Sequence, residues 1–159
     1  MEEIIIKKIG IIRTPYLEPR NIPIQGCFND TVEGICILKN EFKEGLESLD
    51  GFSHAILIYH FHKAGQVTNK GKPFLEDTEH GIFSIRSPYR PNKIGFSIVK
   101  IIKIEENMLH FTEVDMLNDT PLIDIKPYVK YFDSRQDVSS GWIDKHFKDN
   151  KIPSRVVLK

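Results

Sequence analysis

The apolar residues of this chain come in short runs, and that limits its possible folds more than any other feature. The runs are EIIIKKIGII (3–12), VEGICIL (32–38), SHAILIYHFH (53–62), GIFSIR (81–86) and GFSIVKIIKI (95–104), with glycines and prolines punctuating the chain. Isoleucine and valine favour strands because their branched side chains suit a pleated, half-buried surface. The run 53–62 is apolar on both faces and predicts a central buried strand. Residues 95–117 predict two strands around a tight turn at Glu105-Glu106-Asn107. Helical spacing is confined to NEFKEGLESLDGF (40–52), with Phe42, Leu46 and Leu49 on one face and Gly51 as a stop, and to SGWIDKHFKD (140–149). Six or so strands, short helices and no regular βαβ alternation predict a mainly-β barrel or sandwich. Residues 1–133 are expected to form that domain, and 134–159 a tail with a short helix belonging to it.

A chain of 159 residues suffices for one domain with a real core. Apolar residues make up 40% and charged residues 28%, ordinary proportions for a soluble protein. The net charge of zero provides no global basic field, so a nucleic-acid site must be local, and DNA is not an expected partner. No apolar run reaches the ~20 residues that span a bilayer, and MEEIIIKKIG does not read as a signal peptide. A cytoplasmic location, with Cys27 and Cys36 as free thiols, is the expectation. There is no G-x-G-x-x-G and no P-loop.

Three constellations stand out. In RSPYRPNKIG (86–95), Pro88 and Pro91 stiffen a loop that presents Arg86, Arg90 and Lys93, and Lys100 and Lys103 follow with no acid between. Arginine offers a planar fork suited to carboxylate or phosphate, and Gly95 permits close backbone approach. His54, His60 and His62 share one strand parity. His54 would lie about 20 Å from His60 at strand rise, too far to share an ion, so no metal is expected. His62, at the strand end, is better placed to touch a ligand. In NDTPLIDIKPY (118–128), polar side chains precede Pro121 on a turn. Asp115 and Asp124 flank its start and middle. Either could orient a ligand or act as a base, and Asp124 is the candidate base.

The strings GIFSIRSPYRPNKIGFSIV, NDTPLIDIKPY, GFSHAILIYHFH and IGIIRTPY resemble four signatures of the TrmO family, also called TsaA-like or YaeB-like. They occur in family order and span residues 9 to about 131. The resemblance implies a β-barrel methyltransferase that uses S-adenosylmethionine and methylates the exocyclic amine of threonylcarbamoyl-adenosine beside the tRNA anticodon. It also implies a homodimer with the cofactor near the subunit interface. The family's P-R-Q falls on Pro23-Ile24-Gln25, its H-Q on His62-Lys63, its signature arginine on Arg86 and a cofactor-contacting leucine on Ile98. Its D-G-T-P falls on Asn118-Asp119-Thr120-Pro121, and its P-N-P-I-G on residues 91–95, with Lys93 at the second proline. Arg90 and Lys93 are expected to face RNA or other anionic groups. Longer members carry a C-terminal domain for which this sequence has no room. A related transfer to a small molecule or another RNA, and a binding module without catalysis, are the alternative readings.

Overall fold

The structure is a computed structural model, describing residues 2–147 and 151–157. Its strands are β1 (Gly10–Arg13), β2 (Gly34–Leu38), β3 (His54–His60), β4 (Lys70–Gly71), β5 (His80–Gly81), β6 (Ile94–Glu105), β7 (Met108–Thr112) and β8 (Thr120–Pro127). Six of them close a barrel in the order β1-β2-β7-β6-β3-β8, every neighbouring pair antiparallel. β4 and β5 form a separate two-stranded sheet inside the long 63–80 loop. The single-turn helix α1 (Lys130–Asp133) follows β8, and α2 (Ser154–Val157) lies in the tail. No described helix is long and apolar enough to cross a membrane.

Alternation along the strands fills the barrel. Ile12, Cys36, Leu57, Val99, Leu109, Phe111 and Leu122 are fully buried. Each such large side chain contributes about 1.5–3 kcal/mol by leaving water. β3 obeys the same alternation, with Ala55, Leu57 and Tyr59 inward. Its other face, Ile56 and Ile58, is only half covered, so the run that is apolar on both faces is not buried on both. Gly95 faces the Tyr59 ring, where a Cβ would come within 2.1 Å of it. The space expected for a ligand's approach is thus taken by a core aromatic.

Four local expectations are corrected. The first strand begins at Gly10, not at residue 3; Ile4 and Ile5 are more than four-fifths exposed. β1 pairs with β8 only as far as Leu122, beside the slip in register between β8 and β3. Strand-forming residues upstream of Ile9 therefore have no partner strand. The expected helix over 40–52 is two 3-10 segments, Asn40–Leu46 and Leu49–Gly51, separated by Ser48 at φ 64. That left-handed residue interrupts the helix while still turning Leu46 and Leu49 into the core. GIFSIR is a strand only at Gly81; Ile82–Ser84 is a 3-10 turn. Ile82 and Ile85, three apart, are both buried, which a 3-10 turn allows and a strand's period of two does not. SGWIDKHFKD holds a 3-10 segment, Gly141–His146, and its Lys148 and Asp149 lie outside the described residues.

One carboxylate, Glu76, gathers several of the tail's contacts. Glu76 pairs with Lys145 Nζ (2.5 Å) and meets the Nε2 atoms of His146 and His80 (2.6 Å each). Trp142 stacks on His80 at 4.5 Å and donates its indole N–H to the Ser84 carbonyl. Lys145, then His146 and His80, hold the Glu76 carboxyl down to about 2. A depressed carboxylate contributes stability that is complete above its ordinary range and is lost as pH falls towards 2. Glu76→Gln should loosen the tail at neutral pH and leave the barrel folded. Trp142 is the sole tryptophan, so its emission should shift to the red, and proteolysis at 134–140 should quicken. An unchanged spectrum and cleavage rate would show that Glu76 does not hold the tail.

Candidate active site

The loop after β1 returns across the barrel wall as a 3-10 turn, Gly26–Phe28, that packs on β6. A cleft of about 420 Å³ opens there, lined by Gln25, Gly26, Cys27, His54, Arg86, Phe96, Ser97, Ile98, Glu113, Asp115 and Tyr128. Phe96 and Ile98 are there because β6 alternates: Ser97 and Val99 point inward, and their neighbours stay on the outer face. Arg86 donates to Gln25 Oε1 (2.8 Å), and its guanidinium lies 5.9 Å from the Phe96 ring centroid.

Asp115 is the other charged anchor. Its Oδ1 accepts from Ser97 Oγ at 2.5 Å, and its Oδ2 accepts from the Gly26 amide at 3.2 Å. Tyr59 OH lies 2.9 Å from Ser97 Oγ. Since Ser97 gives its proton to the carboxylate, Tyr59 donates to Ser97. Burial pushes the Asp115 carboxyl up to about 6, against the opposing pull of Ser97, Gly26 and Arg86. Burial also raises the Tyr59 phenol, and burial together with Glu113 and Asp115 raises the Cys27 thiol. Cys27 and Cys36 are free thiols, and Cys36 is sealed in the core.

Of the residues singled out from sequence, Gln25, His54, Arg86, Ile98 and Asp115 meet in this cleft. Pro23 and Ile24 sit half-buried on the loop leading to Gln25, and Gln25 Nε2 donates to the Ile24 carbonyl. His62 and Lys63 follow β3 near the turn at 118–121 and are not in the cleft lining. His62 Nε2 is buried without a hydrogen-bond partner. Desolvation, then Lys63, lowers its pKa, and Asp119 acts in the opposite direction.

The 118–121 turn is largely committed to the fold. Asn118 Oδ1 accepts from the Thr14 amide, Thr120 Oγ1 donates to the Leu117 carbonyl, and Pro121 pairs with Ile11. Asp119 forms an ion pair with Arg13 at φ 65, a conformation that suits the glycine of the family signature. Arg90 donates to the Ile85 carbonyl and Lys93 to the Ala64 carbonyl, so both brace the basic loop. Lys93 has φ 50, which proline cannot adopt, so this turn differs from one with proline there. Lys103 is paired with Glu105.

Asp124 lies elsewhere. It pairs with Lys126 at 2.7 Å and lines a second cleft of about 370 Å³ with Leu38, Phe42 and Leu49. It does not share a cleft with Arg86. Among the described residues, no group of three or more His, Cys, Asp or Glu side chains is arranged to hold a metal ion. The sequence by itself assigns no site role to Ser97, Tyr59, Cys27 or Tyr128. Ser97, Tyr59 and Tyr128 lie within the strings GIFSIRSPYRPNKIGFSIV, GFSHAILIYHFH and NDTPLIDIKPY, which is their signal there.

A closed β-barrel bearing a cleft with one arginine, two carboxylates and an aromatic wall defines a small-ligand site outside the nucleotide-binding α/β folds. The chain belongs to the family of tRNA-methyltransferase O N-terminal domains, which it matches over residues 11–134. A probable S-adenosyl-L-methionine-binding protein of Pyrococcus abyssi is 44% identical over 140 residues, 88% of this chain and 76% of that protein. The human tRNA (adenine(37)-N6)-methyltransferase is 37% identical over 115 residues, 70% of this chain and 26% of that enzyme. The crystal structure of TrmO from Pseudomonas aeruginosa superposes with a TM-score of 0.76 at 33% identity, covering 89% of this chain. This chain spans 63% of the length of that structure.

Proposed function

We propose that this protein is an S-adenosylmethionine-dependent methyltransferase acting on tRNA, and that its acceptor is the exocyclic nitrogen of threonylcarbamoyl-adenosine beside the anticodon. The observation that carries the reading is Arg86, steered by Gln25 and set over Phe96 in the same cleft as Asp115. Its volume falls within the range of small-ligand sites. The guanidinium suits the cofactor's carboxylate, Phe96, Ile98 and Tyr128 suit its adenine, and Glu113 suits its cationic end. His62 Nε2 is an orphaned polar atom of the kind a ligand satisfies. S-adenosylmethionine supplies an already electrophilic methyl group, so the chain's own residues have mainly to align donor and acceptor.

The cofactor set is divided between the Arg86 cleft and the His62–Asn118 region, which supports a homodimer in which a second copy completes the site. The exposed outer face of β6, with Phe96, Ile98 and Ile102, offers that copy an apolar surface. Sedimentation equilibrium tests this point, and a monomer at working concentration would refute it. Arg90 and Lys93 each spend one donor on a backbone carbonyl and retain others for RNA phosphate.

Calorimetric titration with S-adenosylmethionine and S-adenosylhomocysteine, followed by methyl transfer to tRNA with and without the threonylcarbamoyl group, tests the whole reading. Saturable binding and transfer only to the modified tRNA are expected. Transfer to unmodified tRNA or to a small molecule would replace the acceptor. Binding without any transfer would leave a cofactor-binding module.

A further inference from the structure

We propose that Asp115 is the base of the transfer reaction, taking the acceptor nitrogen's proton, with Ser97, Tyr59 and the Gly26 amide fixing its carboxylate for that role. The proposal rests on the methyl-transfer reading above and adds a residue that the family signatures do not contain.

Three observations converge on this residue. First, Asp115 lines the cleft, whereas Asp124 is bound to Lys126 in another. Second, its carboxylate is held by donors from two separate elements, β6 through Ser97 and the 26–28 turn through the Gly26 amide. Each oxygen keeps a further lone pair for an incoming proton. Behind Ser97 stands Tyr59, whose ring is fixed against Gly95, so the Tyr59–Ser97–Asp115 chain extends from the core to the cleft. Third, the environment favours the protonated form. Burial raises the carboxyl to about 6 and so makes it a stronger base than a free carboxylate. The groups that face it are Arg86, which opposes that rise, together with Glu113, Tyr16, Cys27 and Tyr59.

An exocyclic amine next to a carbonyl is a poor nucleophile until it loses its proton. In the balanced step, the acceptor nitrogen forms its bond to the methyl carbon as that carbon's bond to sulfur breaks and leaves a neutral thioether. The nitrogen's proton passes to a carboxylate oxygen of Asp115. Asp115 is only partly covered and returns the proton to water through the cleft.

The competing role for Asp115 is to hold the cofactor's ammonium group, and Asp115→Asn separates the two. The amide can keep both hydrogen bonds, accepting from Gly26 and donating to Ser97, so the variant should fold. As a base, Asp115→Asn should lose about 10²- to 10⁴-fold in kcat. It should bind S-adenosylhomocysteine within about threefold of the wild type, the residual effect expected when no strong contact is lost. The wild-type kcat should rise with pH through about 6 as the carboxyl ionises, and that limb should vanish in the variant. Independently of turnover, ¹³C-NMR should show the Asp115 carboxyl titrating near 6 in the free protein. Loss of S-adenosylhomocysteine affinity in step with kcat would make Asp115 a cofactor ligand and overturn the proposal. So would an unchanged kcat, or a pH limb abolished by Asp124→Asn instead. A wild type that binds the cofactor but methylates no acceptor would instead bring down the methyl-transfer reading, and this proposal with it.

Discussion

Alanine in place of Gly26 should both destabilise the protein and deform the cleft. A Cβ at this position would lie 1.8 Å from the Glu113 carbonyl oxygen and 2.4 Å from its carbon. Both are backbone atoms, and no side-chain rotation can relieve the contact. The 26–28 turn must lift away from the segment bearing Asp115, breaking the Gly26 amide's bond to Asp115 Oδ2. Overpacking of this kind costs about 1–3 kcal/mol. At the upper end, that lowers the melting temperature of a chain this size by roughly 5–10 °C. Because Gln25 and Cys27 move with the turn, cofactor affinity should fall as well. Differential scanning calorimetry and titration with S-adenosylhomocysteine measure the two effects. A Gly26→Ala protein with wild-type melting and affinity would mean that the turn does not lie against Glu113.

Removing the guanidinium of Arg86 should weaken cofactor binding with little effect on folding. The side chain is exposed, and its fixed contacts are Gln25 and the face of Phe96. A hydrogen bond to a charged group contributes about 1.5–3 kcal/mol, so Arg86→Ala should raise the dissociation constant of S-adenosylmethionine roughly ten- to hundredfold. Arg86→Lys should recover only part of this, because lysine lacks the planar fork. Arg86 also opposes the rise of the Asp115 carboxyl, so its removal should move the Asp115 titration to higher pH. Binding and turnover like the wild type would mean that RSPYRPNKIG braces the fold without forming the methyl-donor site.

Much of this architecture is legible in the chain because a barrel's inward positions recur every second residue. GFSIVKIIKI and GICIL carry that alternation openly, and β6 and β2 form where it predicts. The turn at 106–107 follows from local turn chemistry in the same way. Arg86 was visible because it opens a loop stiffened by two prolines beside an apolar run, and Gln25 and Ile98 through the family signatures. EIIIKKIGII shows where pattern fails. Its isoleucines are good strand formers, but strand pairing is a property of two segments, and upstream of Ile9 the partner is missing. GIFSIR fails for the complementary reason, since the burial of Ile82 and Ile85 three residues apart is set by what lies beneath them.

The sequence by itself determined the mainly-β class, the stiff basic loop and the family, because these rest on short-range periodicity and contiguous motifs. Only the tertiary structure decided which aspartate enters the Arg86 cleft. Asp115 and Asp124 are nine residues apart, and the sequence alone points to Asp124 as the base. Closure of the barrel places one under Ser97 of β6 and the Gly26 turn and leaves the other paired with Lys126 at a second cleft. The basicity of a carboxylate depends on burial and on the donors that surround it. For Asp115 those donors come from positions 18 and 89 residues away, a separation that no local pattern encodes.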